Sequence, residues 1–274
     1  MANGIHAPVS RIEPFDVIAK EYDSHFTNTL VGQAQRNSVW REVDREFRSG
    51  QRVLEMNCGT GVDAMHLAER GVRVVACDAS KEMIEVARRR LRAAASRGDV
   101  DLRVLATEFI GQLEGGERFD GALSNFAGLN CVGDLGGVAR DLARLVKPGG
   151  TMILCLFGRL CLWEIIWYGV HGELKKAFRR LTACRIAANL GPGQTVLVRY
   201  PSVQSLRRDF APHFRLMKWK GIGIFVPPSY LEPLAFRFGR IFSFAAKVDA
   251  FVCGWPGFRT FADHVVLEFA RVGA

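Results

Sequence analysis

The segment "RVLEMNCGTGVD", residues 52–63, constrains this chain more than any other stretch. A short apolar run enters a turn holding Gly59 and Gly61, and an amphipathic segment, "VDAMHLAERG", leaves it and closes at Gly71. That order of strand, glycine turn and helix is the opening of a βαβ unit. The alternation then repeats. "VRVVACD", "DVDLRVLA", "ERFDGALSN" and "TMILCLF" are rich in residues that suit strands. Between them, "SKEMIEVARRRLRAAASRG" sets Ser80 as an N-cap, puts Met83, Ile84, Ala87 and Leu91 on one face, and ends at Gly98. "LGGVARDLARLVKPGG" is a helix stopped by Pro148-Gly149-Gly150. Parallel strands need crossovers of about a dozen residues, and these spacings supply them. The expectation is a doubly wound α/β sheet.

The chain has 274 residues, 49% apolar and 24% charged, which fits one domain with insertions. Residues 1–48 are expected to form a helical cover, with Val39, Trp40, Val43 and Phe47 on one helix face. Residues 49–157 form the α/β core, and 158–212 and 227–262 are cap or insertion segments. The second half keeps strand patterns at "QTVLVRY", "RLMKWKGIGIFVPP" and "DHVVLEFARV", a helix start at Pro201-Ser202, and an aromatic helical stretch over 229–252. The first residues, "MANGIHAPVSRIEPFD", lack the layout of a signal peptide. The most apolar run, 151–170, is broken by Gly158, Arg159 and Glu164, so it reads as a strand followed by a helix and not as a membrane span. Seven cysteines without close pairing argue against a disulfide framework or a zinc site, and no other metal set is apparent. A cytoplasmic setting is expected.

Open parallel sheets bind ligands beyond the carboxyl ends of their strands. The glycine turn, Asp78 and the loop at 124–131 all fall there. A Walker loop is excluded, because no Gly-Lys-Ser/Thr sequence follows the turn. A dinucleotide fingerprint fits poorly, because its third glycine falls on Val62 or Ala64. A ligand without phosphates needs only close backbone approach, which Gly59 and Gly61 allow. Asn57 stands where a first glycine is common, and Asn tolerates a left-handed backbone. Asp78 can accept two hydrogen bonds from a ribose diol, as a strand-end acid also does in NAD enzymes.

With these residues the chain resembles the class I S-adenosylmethionine-dependent methyltransferases, well over residues 50–157 and loosely elsewhere. The resemblance implies a mostly parallel seven-stranded sheet, an inserted helical cap and S-adenosylmethionine as cofactor. It maps Glu55, Gly59 and Gly61 onto the cofactor turn, with Asn57 replacing the first glycine. Asp78 takes the ribose, Glu108 and Phe109 the adenine, and Asn125 the methionine part. Tyr22 lies on a helix covering the cofactor. The third strand ends in Thr107-Glu108 in place of the usual Asp.

The acceptor is less defined. Residues 158–240 hold 14 Lys or Arg against four acids, in a chain of net charge +9. Trp163, Trp167 and Tyr168 precede Lys175, Lys176, Arg179 and Arg180. Apolar walls with a positive rim suit a small hydrophobic or aromatic acceptor, including one bearing a carboxylate or phosphate. Trp167, Tyr168, His171 and His25 are candidate substrate residues, and Tyr200 and His213 are further candidate bases. The same basic segment also suits an anionic membrane or an acidic partner. No nucleic-acid module is visible, and "RRRLR", residues 88–92, reads as a solvated helix face. An NAD-dependent oxidoreductase and a non-catalytic cofactor-binding partner protein remain the alternative readings.

Overall fold

Apolar residues on both sides of each central strand demand cover on both faces, and the chain supplies it in sequence order. The computed structural model describes residues 13–94, 99–182, 184–191 and 194–273; Gly98 and the first 12 residues lie outside them. A 3₁₀ turn, Pro14–Asp16, and a π-helical turn, Asp23–Thr27, lead into α1, Leu30–Glu46. Then follow β1 (Arg52–Met56), α2 (Val62–Glu69), β2 (Arg73–Asp78), α3 (Lys81–Ala93), β3 (Val100–Val104), β4 (Phe119–Ser124), α4 (Leu135–Leu145) and β5 (Val146–Phe157). The second half contributes α5 (Leu162–Val170), α6 (Leu174–Ala177), β6 (Ile186–Gly191), β7 (Gln194–Val198), α7 (Val203–Phe210), β8 (Phe214–Ile222), α8 (Glu232–Arg237), α9 (Gly239–Val252) and β9 (His264–Arg271).

The main sheet has seven strands in the order β3-β2-β1-β4-β5-β9-β8. Strands β1 to β5 run parallel, and β9 is antiparallel to both β5 and β8. Strand order reverses between β1 and β4, and this switch point places the glycine turn. Alternate residues feed opposite cores. Leu54, Ala122 and Met152 pack towards α4 and α7, while Val53, Leu123 and Ile153 pack with Val39 and Val43 of α1. Each such fully buried aliphatic side chain contributes about 1.5–3 kcal/mol.

Capping follows the sequence. Ser80 Oγ accepts the Met83 N–H, and Ser202 Oγ accepts that of Ser205. The apolar run at 151–170 divides into β5 and α5, and among the described residues no helix is long and apolar enough to cross a membrane.

Some elements differ from expectation. Helix α4 stops at Leu145, and Pro148-Gly149-Gly150 already belongs to β5, with Gly149 at φ +78°. The basic stretch "GELKKAFRRL" is α-helical only over the four residues of α6, and Arg180 turns inward to buried carboxylates instead of joining the positive rim. Strand β7 pairs with β6, whose Ala-Ala-Asn sequence gives little strand signal. Arg90, expected to face solvent, forms an ion pair with Asp23.

Candidate functional site

The turn after β1 holds Asn57, Gly59 and Gly61 at φ +56°, +53° and +75°. The glycines adopt this backbone freely, and Asn is among the few other residues that do so at small cost. A Cβ added at Gly59 would meet no atom within 4 Å, so the turn faces open space there. Gly61 has a different task. Its Cβ would lie 2.8 Å from Ala87 Cβ, so it permits α3 to pack against α2. The Asn57 side chain reaches across to β4, where the Ser124 hydroxyl donates to its Oδ1 at 3.2 Å.

Asp78 closes the turn from the next strand. Its Oδ2 accepts the Gly59 N–H and its Oδ1 the Ser80 N–H, both at 2.8 Å. Burial raises its pKa despite these donors. Glu55 lies deeper, 1% exposed, and its Oε2 has no hydrogen-bond partner. Burial first, and then Asp63, push its carboxyl well above the usual range.

The cationic side chains nearby are committed. Arg36 Nη1 donates to Asp63 Oδ2 at 2.6 Å. Trp40 Nε1 and Asn125 Nδ2 also donate to Asp63, at 2.6 and 3.1 Å. Arg90 pairs with Asp23, whose Oδ1 also accepts the Thr60 hydroxyl at 2.8 Å. These bonds tie the segment before α1 onto the glycine turn. Tyr22 belongs to that segment; burial first, opposed by Arg36 and reinforced by Asp63 and Asp78, raises its phenol to about 12. The cradle is thus rich in carboxylates, without a free cation among the described side chains that line it. It fits a cationic ligand carrying a diol and repels a pyrophosphate.

Beyond the turn, the loop after β4 is strained. Phe126 and Ala127 take φ +47° and +65°, held by Asn125 Oδ1 accepting the Phe126 N–H at 2.9 Å and Cys155 O accepting that of Ala127 at 3.0 Å. The loop aims the Phe126 ring at Phe26 and His264, with centroids 4.7 and 5.6 Å away. His264 stacks on Phe157 at 4.7 Å, and Phe157 meets Tyr200 at 5.8 Å. Beneath this aromatic row, Arg180 donates to Glu164 and Asp263 at 2.7 and 2.8 Å, all three being buried. His264 Nδ1 lies 3.3 Å from Asp263 Oδ2 but is not aligned for a hydrogen bond. Burial opposes ionisation of Asp263, yet His264 and Arg180 outweigh it and hold the carboxyl well below its usual range.

A family model described as a methyltransferase domain matches residues 53–150, which span the turn, Asp78 and the loop after β4. Over those residues the chain is similar to the methyltransferase domain. It is 32% identical over 146 residues to a demethylmenaquinone methyltransferase of Corynebacterium kroppenstedtii, covering 52% of this chain and 58% of the relative. A demethylmenaquinone methyltransferase of Paenarthrobacter aurescens is 30% identical over 178 residues, covering 64% and 65%. The chain thus spans less than two thirds of the length of these relatives. A crystal structure of a putative S-adenosylmethionine dependent methyltransferase from Listeria monocytogenes shares the fold, with a TM-score of 0.59 over 87% of this chain and all of that one, at 14% identity. S-adenosylmethionine, which the name of that Listeria protein includes, carries sulfonium and ammonium charges that match the acidic cradle.

Of the expected site residues, Glu55, Asn57, Gly59, Gly61 and Asp78 meet at the turn, with Tyr22 beside them and Asn125 on Asp63. Glu108 and Phe109 lie on a 3₁₀ helix after β3, both exposed. Tyr168 packs near Tyr230 at 6.4 Å. Trp167 and His171 are exposed and contact each other, and His25 is also exposed. His213 precedes β8, at the sheet edge opposite the turn. The sequence reading missed Asp63, Asp263 and His264, and gave Arg36 and Glu164 no role. An Asp-His pair ahead of the last strand was the available signal. Its meaning depends on β9 running antiparallel, which pairs His264 with Phe157 at the carboxyl edge.

Proposed function

We propose that the chain transfers a methyl group from S-adenosylmethionine to a small aromatic or apolar acceptor. The observation that carries this reading is the unpartnered buried Glu55 carboxyl beside Asp78, in a cradle whose arginines are already paired. Residues 49–157 form the cofactor core in this reading. Residues 1–48 cover it, and 158–212 with 227–262 cap the acceptor side. Glu55 holds the cofactor's ammonium group, Asp78 the ribose, Gly59 and Gly61 shape the turn, and Asn57 and Asn125 flank the methionine part. Glu108 and Phe109 take the adenine, and Tyr22 closes over the site.

When bound, the cofactor supplies a methyl group on a sulfonium, activated towards a nucleophile. The protein's task is then alignment of the acceptor and removal of its proton. The row Phe26, Phe126, Phe157 and Tyr200 suits a flat ring. His264 is the base of this reading, with its ring held by stacking on Phe157 and its Nδ1 3.3 Å from Asp263. The name of the relatives, demethylmenaquinone methyltransferase, supports demethylmenaquinone as the first acceptor to try.

Titration calorimetry with S-adenosylmethionine and S-adenosylhomocysteine tests the cofactor half. Absence of binding by the folded chain overturns the reading. Transfer of a radiolabelled methyl group to reduced demethylmenaquinone or simpler aromatic acceptors tests the second half. Cofactor binding without turnover on any acceptor instead favours a non-catalytic binding protein.

A further inference from the structure

Part of the basic surplus of residues 158–240 is paired with carboxylates. Arg179 and Arg180 pair with Glu164, Lys218 with Glu46 and Glu268, and Lys220 with Glu42. A different surface stays charged and apolar at once. On α9, residues Ile241, Phe244 and Phe251 share one helix face and are 67%, 68% and 70% exposed. Arg240 and Lys247 border that face, and among the described residues neither pairs with a carboxylate. Just past the helix, the ring of Trp255 packs on Phe251 at 5.1 Å and edge-on to Phe258 at 6.2 Å, and all three rings are exposed. Phe236 of α8, 81% exposed, adds to the apolar surface just before it.

The acids of the same segment are turned away. Asp249, on the opposite side of α9, is buried and accepts the N–H groups of Ile224, Phe225 and Val226 at 3.2, 2.7 and 2.9 Å. Glu232 accepts the first N–H groups of α1, at 2.7 and 3.0 Å. The exposed face is therefore cationic and aromatic, and among the described residues no carboxylate of its own segment competes with it. Asp249 also bolts it firmly to the body of the protein.

We propose that the α9 face, with the Trp255–Phe258 loop, docks on an anionic phospholipid bilayer. Charge decides between occupants. Two copies of this face would bring like charges together, whereas an anionic surface offsets them. Aromatic side chains between cations are suited to the interfacial zone, where rings sit at headgroup level and Lys and Arg reach the phosphates. The placement is also tied to the candidate site. The loop continues through Phe258–Phe261 to Asp263 and His264, so the docked face and the aromatic row are joined by one short segment. Docking itself does not rest on the methyl-transfer reading.

Flotation of the full chain with vesicles tests the proposal, using phosphatidylcholine alone and phosphatidylcholine mixed with phosphatidylglycerol. Flotation is expected with the mixed vesicles only, and it falls as salt rises. The pair Arg240→Gln and Lys247→Gln should weaken partitioning roughly fivefold for each cation removed. The pair Phe244→Ser and Phe251→Ser should weaken it by more than about tenfold, with an unchanged melting temperature because both rings are exposed. Failure to float with mixed vesicles, or equal flotation of all variants, overturns the proposal. So does concentration-dependent dimerisation that Phe244→Ser disperses, which would assign the face to a second copy of the chain.

Discussion

The Asp78 carboxylate accepts the backbone N–H of Gly59 at 2.8 Å, joining the end of β2 to the turn after β1. The acid therefore shapes the cradle as well as facing it. Replacing Asp78 with Ala is expected to weaken S-adenosylhomocysteine binding by about 1.5–3 kcal/mol, the range for hydrogen bonds to a charged group. Calorimetric titration reads this directly, and an unchanged affinity would remove Asp78 from the site.

Gly59 and Gly61 should separate by phenotype. Gly59→Val meets open space in the folded chain, so it costs only the backbone strain of about 1–2 kcal/mol while blocking the cofactor. Gly61→Ala drives a Cβ into Ala87 and should lower stability by a further ~1–3 kcal/mol. Melting curves paired with cofactor titrations distinguish the two. Normal binding by Gly59→Val would make the turn purely structural.

Asn57 and Gly128 are sterically coupled. A Cβ at Gly128 would lie 2.4 Å from Asn57 Cβ and 2.5 Å from its Cγ. Asn57→Gly is expected to retain cofactor binding, Gly128→Ala to destabilise the fold, and the double variant to recover much of the loss. A double-mutant cycle in urea should give a coupling of about 0.5–3 kcal/mol. Strict additivity would contradict the packing described.

Arg180 neutralises two buried carboxylates, Glu164 and Asp263. Arg180→Met leaves both without it, at an expected cost of about 3–5 kcal/mol. Arg179, which reaches Glu164 from a more exposed position, should cost under about 1 kcal/mol on the same change. Equal losses in chemical denaturation would refute the difference in roles.

Asp249 predicts an unusual pH dependence. Burial raises its pKa from 3.8 to about 6, against the pull of its three N–H donors. Between those values the folded state binds more protons than the unfolded state. This carboxyl therefore makes stability fall as pH rises through the window and level off above it, by on the order of 2–3 kcal/mol in all. The difference in stability between the native chain and Asp249→Asn, followed from neutral pH down to about pH 4, isolates that contribution. A pH-independent difference would show that Asp249 titrates normally.

The order of strands and helices over residues 52–157 was legible because it rests on local signals. β-branched runs, Ser80 as a cap and glycines at turns each act within a few residues. The shape of the candidate turn was legible for the same reason, since Asn57, Gly59 and Gly61 follow β1 directly and Asp78 ends the next strand.

The aromatic row beyond the turn could be decided only by tertiary structure. Asp263 and His264 are more than a hundred residues from Phe157 in sequence, and only the antiparallel insertion of β9 brings them to the same edge. In sequence, Arg180 reads as part of a positive rim, whereas the fold closes it in with Glu164 and Asp263. The aromatic residues of 236–258 carried no sign of which would be buried, because an amphipathic pattern fixes two faces but not which one meets the core. Packing of α9 by Asp249 against residues 224–226 made that choice, and it left Phe244 and Phe251 outside. Sequence thus determined the glycine turn and the acid that closes it, whose signals are local. The ion pairs around Asp63 and Asp23, the aromatic row and the outer face arose from contacts distant in the chain, where burial and charge pairing select among side chains that local pattern treats alike.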